Sequence, residues 1–186
     1  LDRLQLTPGS GSIIHNTHTL NDYEVISWYK DGIAIVDVSR PDNMIVTGHY
    51  DTYTQGSGNG FNGAWGVYPF LPSGNLVVSD IDNGLYVLTP TYIRGCYLEG
   101  NVTDSVTGIP LNNVVVTIIS TSTTKNTNIT GDYKTGLAAA GTYDVSFSKA
   151  GYITKTITGV QLQNGIVTNL NVQLATTQPL ITVSGT

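Results

Sequence analysis

The stretch Val25-Ile26-Ser27-Trp28-Tyr29-Lys30-Asp31-Gly32-Ile33-Ala34-Ile35-Val36 aligns without gaps on Val77-Val78-Ser79-Asp80-Ile81-Asp82-Asn83-Gly84-Leu85-Tyr86-Val87-Leu88. The offset is 52 residues. Val, Ser and Gly recur in register, and the apolar columns around them match. Each copy reads as strand, turn, strand. Asp31-Gly32 and Asn83-Gly84 predict type I′ hairpins, because that turn needs a positive φ at both central residues. Met44 to Tyr50 adds a further short strand after the first copy. A period of about 40–50 residues built from short strands predicts β-propeller blades, and two blades cannot close a ring that needs typically 4–8. Residues 1–92 therefore read as the C-terminal blades of a propeller whose earlier blades are missing. The chain opens on Leu1 rather than Met, which fits a processed or cut piece of something longer.

Composition agrees with an all-β reading. The 186 residues include 26 Thr, 15 Asn and 21 Gly, and only 11% are charged, against about 25% in average globular usage. Thr suits a half-buried strand, while Asn and Gly suit turns. The net charge of −5 argues against nucleic acid, which selects a basic surface. Residues 1–93 hold nine acids and three bases, whereas residues 94–186 hold four acids and five bases. That shift predicts two domains. No apolar run reaches the roughly 20 residues of a membrane helix, and no signal peptide is present. Cys96, the single cysteine, reads as a small buried residue.

From Ile93 the pattern changes. Gly100-Asn101-Val102, Asp104, Thr107-Gly108 and Pro110-Leu111 lead into the apolar run Val114 to Ile119. Gly131-Asp132-Tyr133, Ala140-Gly141-Thr142-Tyr143-Asp144-Val145 and Ala150-Gly151-Tyr152 follow, and a closing strand runs from Val167 to Leu174. Alternation puts Tyr143, Val145 and Phe147 on one inward face. About seven strands with frequent glycine turns predict a β-sandwich. These motifs closely resemble the carboxypeptidase regulatory-like domain, a transthyretin-like (prealbumin-like) sandwich, over about residues 93–175. The first half, through "GIAIVDVSRPDNMIVTGHYDT" and "NLVVSDIDNGLYVL", resembles the LVIVD-type repeats of choice-of-anchor B surface proteins. Together the resemblances imply a partial propeller over 1–92, a seven-stranded sandwich over 93–176, and a linker or the start of a further domain over 177–186. Leu180 to Val183 reads as the first strand of that domain. The families imply a secreted or cell-surface bacterial protein.

Candidate sites are few. Asp80 and Asp82 form a D-x-D-x-G run that suits either a hairpin turn or a calcium ion, which takes several oxygens from one loop; no other cofactor is expected. His15 and His18 form H-x-x-H, with His49 later. In a strand an i, i+3 pair faces opposite sides, so a structural role is favoured over a metal. Tyr53, Phe61, Trp65 and Tyr68 crowd a glycine-rich stretch and are candidates for binding a glycan or a surface protein, with Trp65 and Tyr68 also suited to an inter-blade core. Asp51, Asp80 and Asp82 could supply a glycosidase pair, but nothing specifies their geometry, and no nucleophile, zinc or phosphate-loop motif is present. The function expected is non-catalytic: presentation and ligand or adhesion binding within a longer polypeptide. The alternative is an accessory region of a secreted peptidase or glycosidase whose catalytic part lies outside this chain.

Overall fold

The computed structural model describes residues 3–177, and every regular element among them is a β-strand. No helix among the described residues is long and apolar enough to cross a membrane. The chain divides into two compact units after Cys96, with Leu137–Ala139 grouped with the first.

The first unit contains two antiparallel meanders. In the first sheet β1 (Asn16–Leu20), β2 (Tyr23–Ser27), β3 (Ile33–Asp37) and β4 (Ile45–Tyr50) lie in chain order. In the second, β5 (Ala64–Tyr68), β6 (Leu76–Asp80) and β7 (Gly84–Leu88) do the same. The sequence repeat falls on equivalent hairpins, β2–β3 and β6–β7. The turns differ from expectation. Neither Asp31 nor Asn83 has a positive φ, so neither dipeptide makes a type I′ turn. The first loop is instead closed by Trp28 N–H donating to the Gly32 carbonyl (2.8 Å) and Gly32 N–H donating to that of Tyr29 (3.0 Å). Gly32 stands at φ +74°, and a Cβ there would sit 2.3 Å from the Tyr50 carbonyl oxygen. The residue serves both the left-handed turn and the close approach of β4.

Alternation along these strands sorts the core. Val25, Ile33 and Ile35 on one face of the first sheet pack against Ala64, Val67, Leu76 and Val78 of the second. Ile26, Trp28, Ala34 and Val36 point the other way, where Leu4, Leu6, Met44 and Val46 cover them. The unit's last residues are tied in through Asp37. Its buried carboxylate accepts Arg94 Nη1 at 3.2 Å and the Gly95 N–H at 2.8 Å.

The second unit holds two sheets. One has the order β10 (Thr124–Asn126), β9 (Val115–Ile118), β12 (Gly141–Ser148), β13 (Lys155–Leu162). The other sets β11 (Asp132–Leu137) beside β8 (Cys96–Asp104), with β14 (Val167–Asn169) and β15 (Val172–Leu174) both parallel to β8. The closing strand is thus one strand interrupted at Leu170-Asn171, and counting it once gives the seven strands expected. The break has a local cause. The Leu170 carbonyl turns inward to accept the Tyr133 hydroxyl (2.7 Å), and any Cβ on Gly100 would lie 2.1 Å from that oxygen. Val145 and Phe147 are fully buried and pair across to Ile118 and Val116, while Tyr143 is half-buried beside a bulge. Cys96 is buried and free. The strand expected at 180–183 lies outside the described residues.

Candidate binding site

The segment 51–63 joins the two sheets of the first unit. Its glycines suggest mobility, yet both ends are fixed. Thr52 is buried and its carbonyl accepts Asn83 Nδ2 at 2.8 Å. At the other end the Asp82 carboxylate accepts Asn62 Nδ2 (2.9 Å) and the Gly63 N–H (2.8 Å), and Ala64 N–H donates to the Tyr29 carbonyl. The Gly63 N–H, and after it the Asn62 amide, hold the Asp82 carboxyl below the usual carboxylate range. Asp80 closes its own hairpin, its Oδ1 accepting the N–H groups of Asp82 (2.9 Å) and Asn83 (2.7 Å). The two acids therefore work on different parts of the backbone. Among the described residues no three His, Cys, Asp or Glu side chains group closely enough to hold a metal ion.

The three histidines follow the same structural pattern. His15 precedes β1, so strand alternation does not separate it from His18, and both lie along β5. His15 stacks on Trp65 at 4.1 Å, and His18 meets Phe70 edge-on at 5.5 Å and Tyr68 at 6.4 Å. His49 Nε2 lies 2.6 Å from the Asp31 carbonyl, which can only accept, so the ring proton sits there.

The four aromatic candidates separate into two pairs. Tyr53 and Phe61 belong to the tethered loop. Phe61 is 64% exposed and meets the buried Tyr29 edge-on at 5.4 Å, while Lys30 Nζ sits 5.5 Å over the Tyr53 ring. Trp65 and Tyr68 instead stand on the outer face of the second sheet, beside Val77, Ser79 and Leu85. Both are about half exposed, so they do not fill the core between the sheets.

Next to the loop is a cavity of about 350 Å³ lined by Thr7, Lys30, Asp31, His49, Asp51 and Ser57, among others. Asp31 is nine-tenths buried. Its Oδ1 accepts the Thr7 hydroxyl at 3.3 Å, and its Oδ2 has no hydrogen-bond partner. A buried carboxylate oxygen left unpaired costs about 1–3 kcal/mol or more. Sequence reading had given Asp31 only to a turn and His49 only to the histidine count. Their meeting depends on β3–β4 pairing, which sets His49 opposite Ala34.

Residues 97–175 match the family model of the carboxypeptidase regulatory-like domain. This is the stretch from β8 to β15, and it agrees with the sandwich motifs read in the sequence. Among solved structures, the chain is similar to a "putative carbohydrate binding protein" from Bacteroides uniformis, with 21% identity over 42% of this chain and 40% of that one, TM-score 0.34. It is similar to the minor pilin of Streptococcus agalactiae at 13% identity over 63% of this chain and 66% of that one, TM-score 0.36. Against the Bacillus anthracis TIE protein the identity is 10% over 91% of this chain and 39% of that one, TM-score 0.36. The chain thus spans less than two thirds of the length of each of these structures. No curated protein matches the chain.

Proposed function

We propose that this chain is a non-catalytic binding module of a secreted or cell-surface bacterial protein, and that its ligand is a glycan held at the loop end of the first unit. The observation that carries the reading is the buried, unpaired Asp31 carboxylate oxygen in a cavity that Asp51 and Ser57 of the 51–63 segment also line, the segment that carries the exposed Phe61 ring. Lys30, His49, Asp51 and Ser57 offer both donors and acceptors to sugar hydroxyls, and Phe61 offers a flat apolar face. A sugar hydroxyl is also the kind of donor that the unpaired Asp31 carboxylate lacks. In this reading Asp80 and Asp82 are turn residues rather than calcium ligands. The two meanders are neighbouring blades of LVIVD type, a reading supported by the coincidence of the 52-residue repeat with their hairpins. The sandwich is a spacer that presents them.

The test is glycan-array screening of the intact chain, followed by titration of any hit against Phe61→Ala and Asp51→Asn variants. Phe61→Ala is expected to weaken binding by up to about tenfold, the scale of one aromatic contact, with an unchanged melting temperature. Unchanged affinity in both variants removes the site. Failure of every glycan removes the ligand class.

A further inference from the structure

The cavity beside the 51–63 segment depends on one glycine. Gly32 follows Asp31 just ahead of β3, and its missing side chain lets the end of β4 close in: a Cβ there would lie 2.9 Å from the Asp51 Cα. Asp31 and Asp51 thereby come to line the same cavity. The two acids are held differently. Asp51 is exposed, and its Oδ1 accepts the Tyr53 N–H at 2.8 Å. Asp31 is only 5% exposed. Its backbone carbonyl accepts His49 Nε2 at 2.6 Å, and its Oδ1 accepts the Thr7 hydroxyl at 3.3 Å, longer than the usual range for such a bond. Its Oδ2 accepts nothing.

A hydrogen bond is half of what this carboxylate lacks. A buried charge also needs a counter-charge, and among the described residues no ion pair to Asp31 is found. Lys30, the cation of the cavity wall, is turned toward the loop. Its Nζ sits 5.5 Å over the Tyr53 ring and 3.3 Å from where a Cβ on Gly60 would stand. The surrounding charge adds to the demand, with nine acids against three bases over residues 1–93.

We infer that the sugar held at this cavity carries a free, protonated amine: it is an amino sugar, recognised through its ammonium group by Asp31, with Asp51 at the rim. The inference rests on the glycan reading above and names the class of glycan. A neutral sugar hydroxyl can donate to Oδ2 but leaves the charge of the carboxylate unmet. An ammonium supplies donor and charge together, and charge-assisted hydrogen bonds are roughly twice as strong as neutral ones. An N-acetylated amine offers one N–H, no charge, and an acetyl group to place beside an almost fully enclosed side chain. Enclosure also favours a compact ammonium over a planar guanidinium with its rigid fork of donors. A bare metal ion is served poorly. Calcium takes about six to eight oxygens, and among the described residues no three His, Cys, Asp or Glu side chains group closely enough to hold a metal.

The test uses the full chain and an array printed with oligomers of glucosamine, galactosamine and mannosamine, each free and N-acetylated, beside the neutral hexose oligomers. Titration calorimetry then compares the best free-amine oligomer with its N-acetylated and neutral counterparts. The free amine is expected to bind at least about tenfold tighter than either, the scale of one hydrogen bond to a charged group. Asp31→Asn keeps an acceptor for Thr7 and removes the charge, so it is expected to erase that preference with little change in melting temperature. Asp51→Asn is expected to reduce the preference by a smaller factor. Should Asp31→Asn not fold, the ratio of free to N-acetylated affinity in the parent chain and in Asp51→Asn decides. Equal affinity for the free and N-acetylated forms overturns the inference, as does a neutral or acetylated oligomer that binds best. Where that binding falls in Phe61→Ala, the glycan reading survives alone. A preference for the free amine that persists undiminished in folded Asp31→Asn also overturns the inference. Binding by none of the oligomers removes both readings. A rise in melting temperature with calcium chloride alone, present in the parent chain and absent in Asp31→Asn, would make this a metal site and overturn the inference too.

Discussion

The strands before Gly95 and those of the sandwich face the same problem, which is to cover the apolar sides of short β-ladders. They solve it unequally. In the sandwich, Val102, Ile118, Phe147 and Leu174 are almost wholly buried, and the buried polar groups find partners. Thr127 Oγ1 donates to the Leu111 carbonyl and accepts the Val114 N–H, and the Tyr133 hydroxyl donates to Leu170. In the first unit one sheet face stays open. All the buried side-chain polar atoms without a partner among the described residues are there too, including those of Trp28, Asp31, Thr52 and Asp80. Buried polar groups in finished domains are paired. The difference separates a unit whose buried polar groups are met from one that keeps unmet polar atoms at Asp31 and an uncovered apolar face at Leu85 and Val87.

The largest effect expected from that difference is in fragments. Residues 93–176 alone should melt cooperatively. Residues 1–92 alone should not, because the cut removes Arg94 and Gly95 from buried Asp37 and leaves its carboxylate without two of its donors. Depriving a buried carboxylate of donors costs about 1–3 kcal/mol. A fragment carried on to residue 96 should recover that much by chemical denaturation. A stable, cooperative 1–92 together with an unfolded 93–176 would reverse the comparison.

Legibility in the sequence follows the same line. The sandwich was readable because its signals are local: Gly108, Pro110, Gly131 and Gly151 each shape the chain next to the strand they serve. What stayed hidden there was long-range, namely the parallel pairing of β14 and β15 with β8 and the break that Tyr133 imposes at Leu170. In the first unit the hairpins were readable from the repeat, but not their turn type. Trp28 N–H reaches across to Gly32 and widens the loop, a choice not encoded in the Asp-Gly pair. Nor could the sequence say which apolar face is covered, since Ile33-x-Ile35 and Leu85-x-Val87 are the same pattern. At the candidate site the exposed rings Tyr53 and Phe61 were visible as candidates. Asp31 and His49 were not, because pairing of β3 with β4 brings them together.

The next effect sharpens the contrast side chain by side chain. Phe147→Ala removes a ring with no exposed surface that pairs with Val116, so it should cost roughly 3–5 kcal/mol in urea unfolding. Leu85→Ala removes a similar apolar mass from an uncovered face and should change stability by about 0.5 kcal/mol or less. Comparable costs at the two positions would mean that Leu85 is covered and the face is not open.

The smallest expected effect is on acid stability, and it should be present in both units. Asp104 accepts the N–H groups of Thr107 (2.8 Å) and Val106 (2.9 Å), which hold its carboxyl below the usual 3.8, the Thr107 contact most strongly. The Thr130 hydroxyl, and after it the Asn101 amide, lower that of Asp132. Asp82 is lowered in the first unit, as described. In each case the unfolded chain takes up its proton first as pH falls. The folded form therefore gains from these carboxylates at every pH above the unfolded value, and loses the gain as pH drops through the folded values. Melting temperature should be flat from pH 7 to 5 and fall by a few degrees below about pH 4. Asp104→Asn and Asp132→Asn should flatten the fall in fragment 93–176, at the cost of a lower plateau. Asp82→Asn should leave that fragment's contribution to the full-chain profile unchanged while flattening what the first unit contributes. A melting temperature that rises below pH 4 would mean that these carboxyls are held protonated in the fold, with the hydrogen-bond donors at Thr107, Thr130 and Gly63 turned away from them.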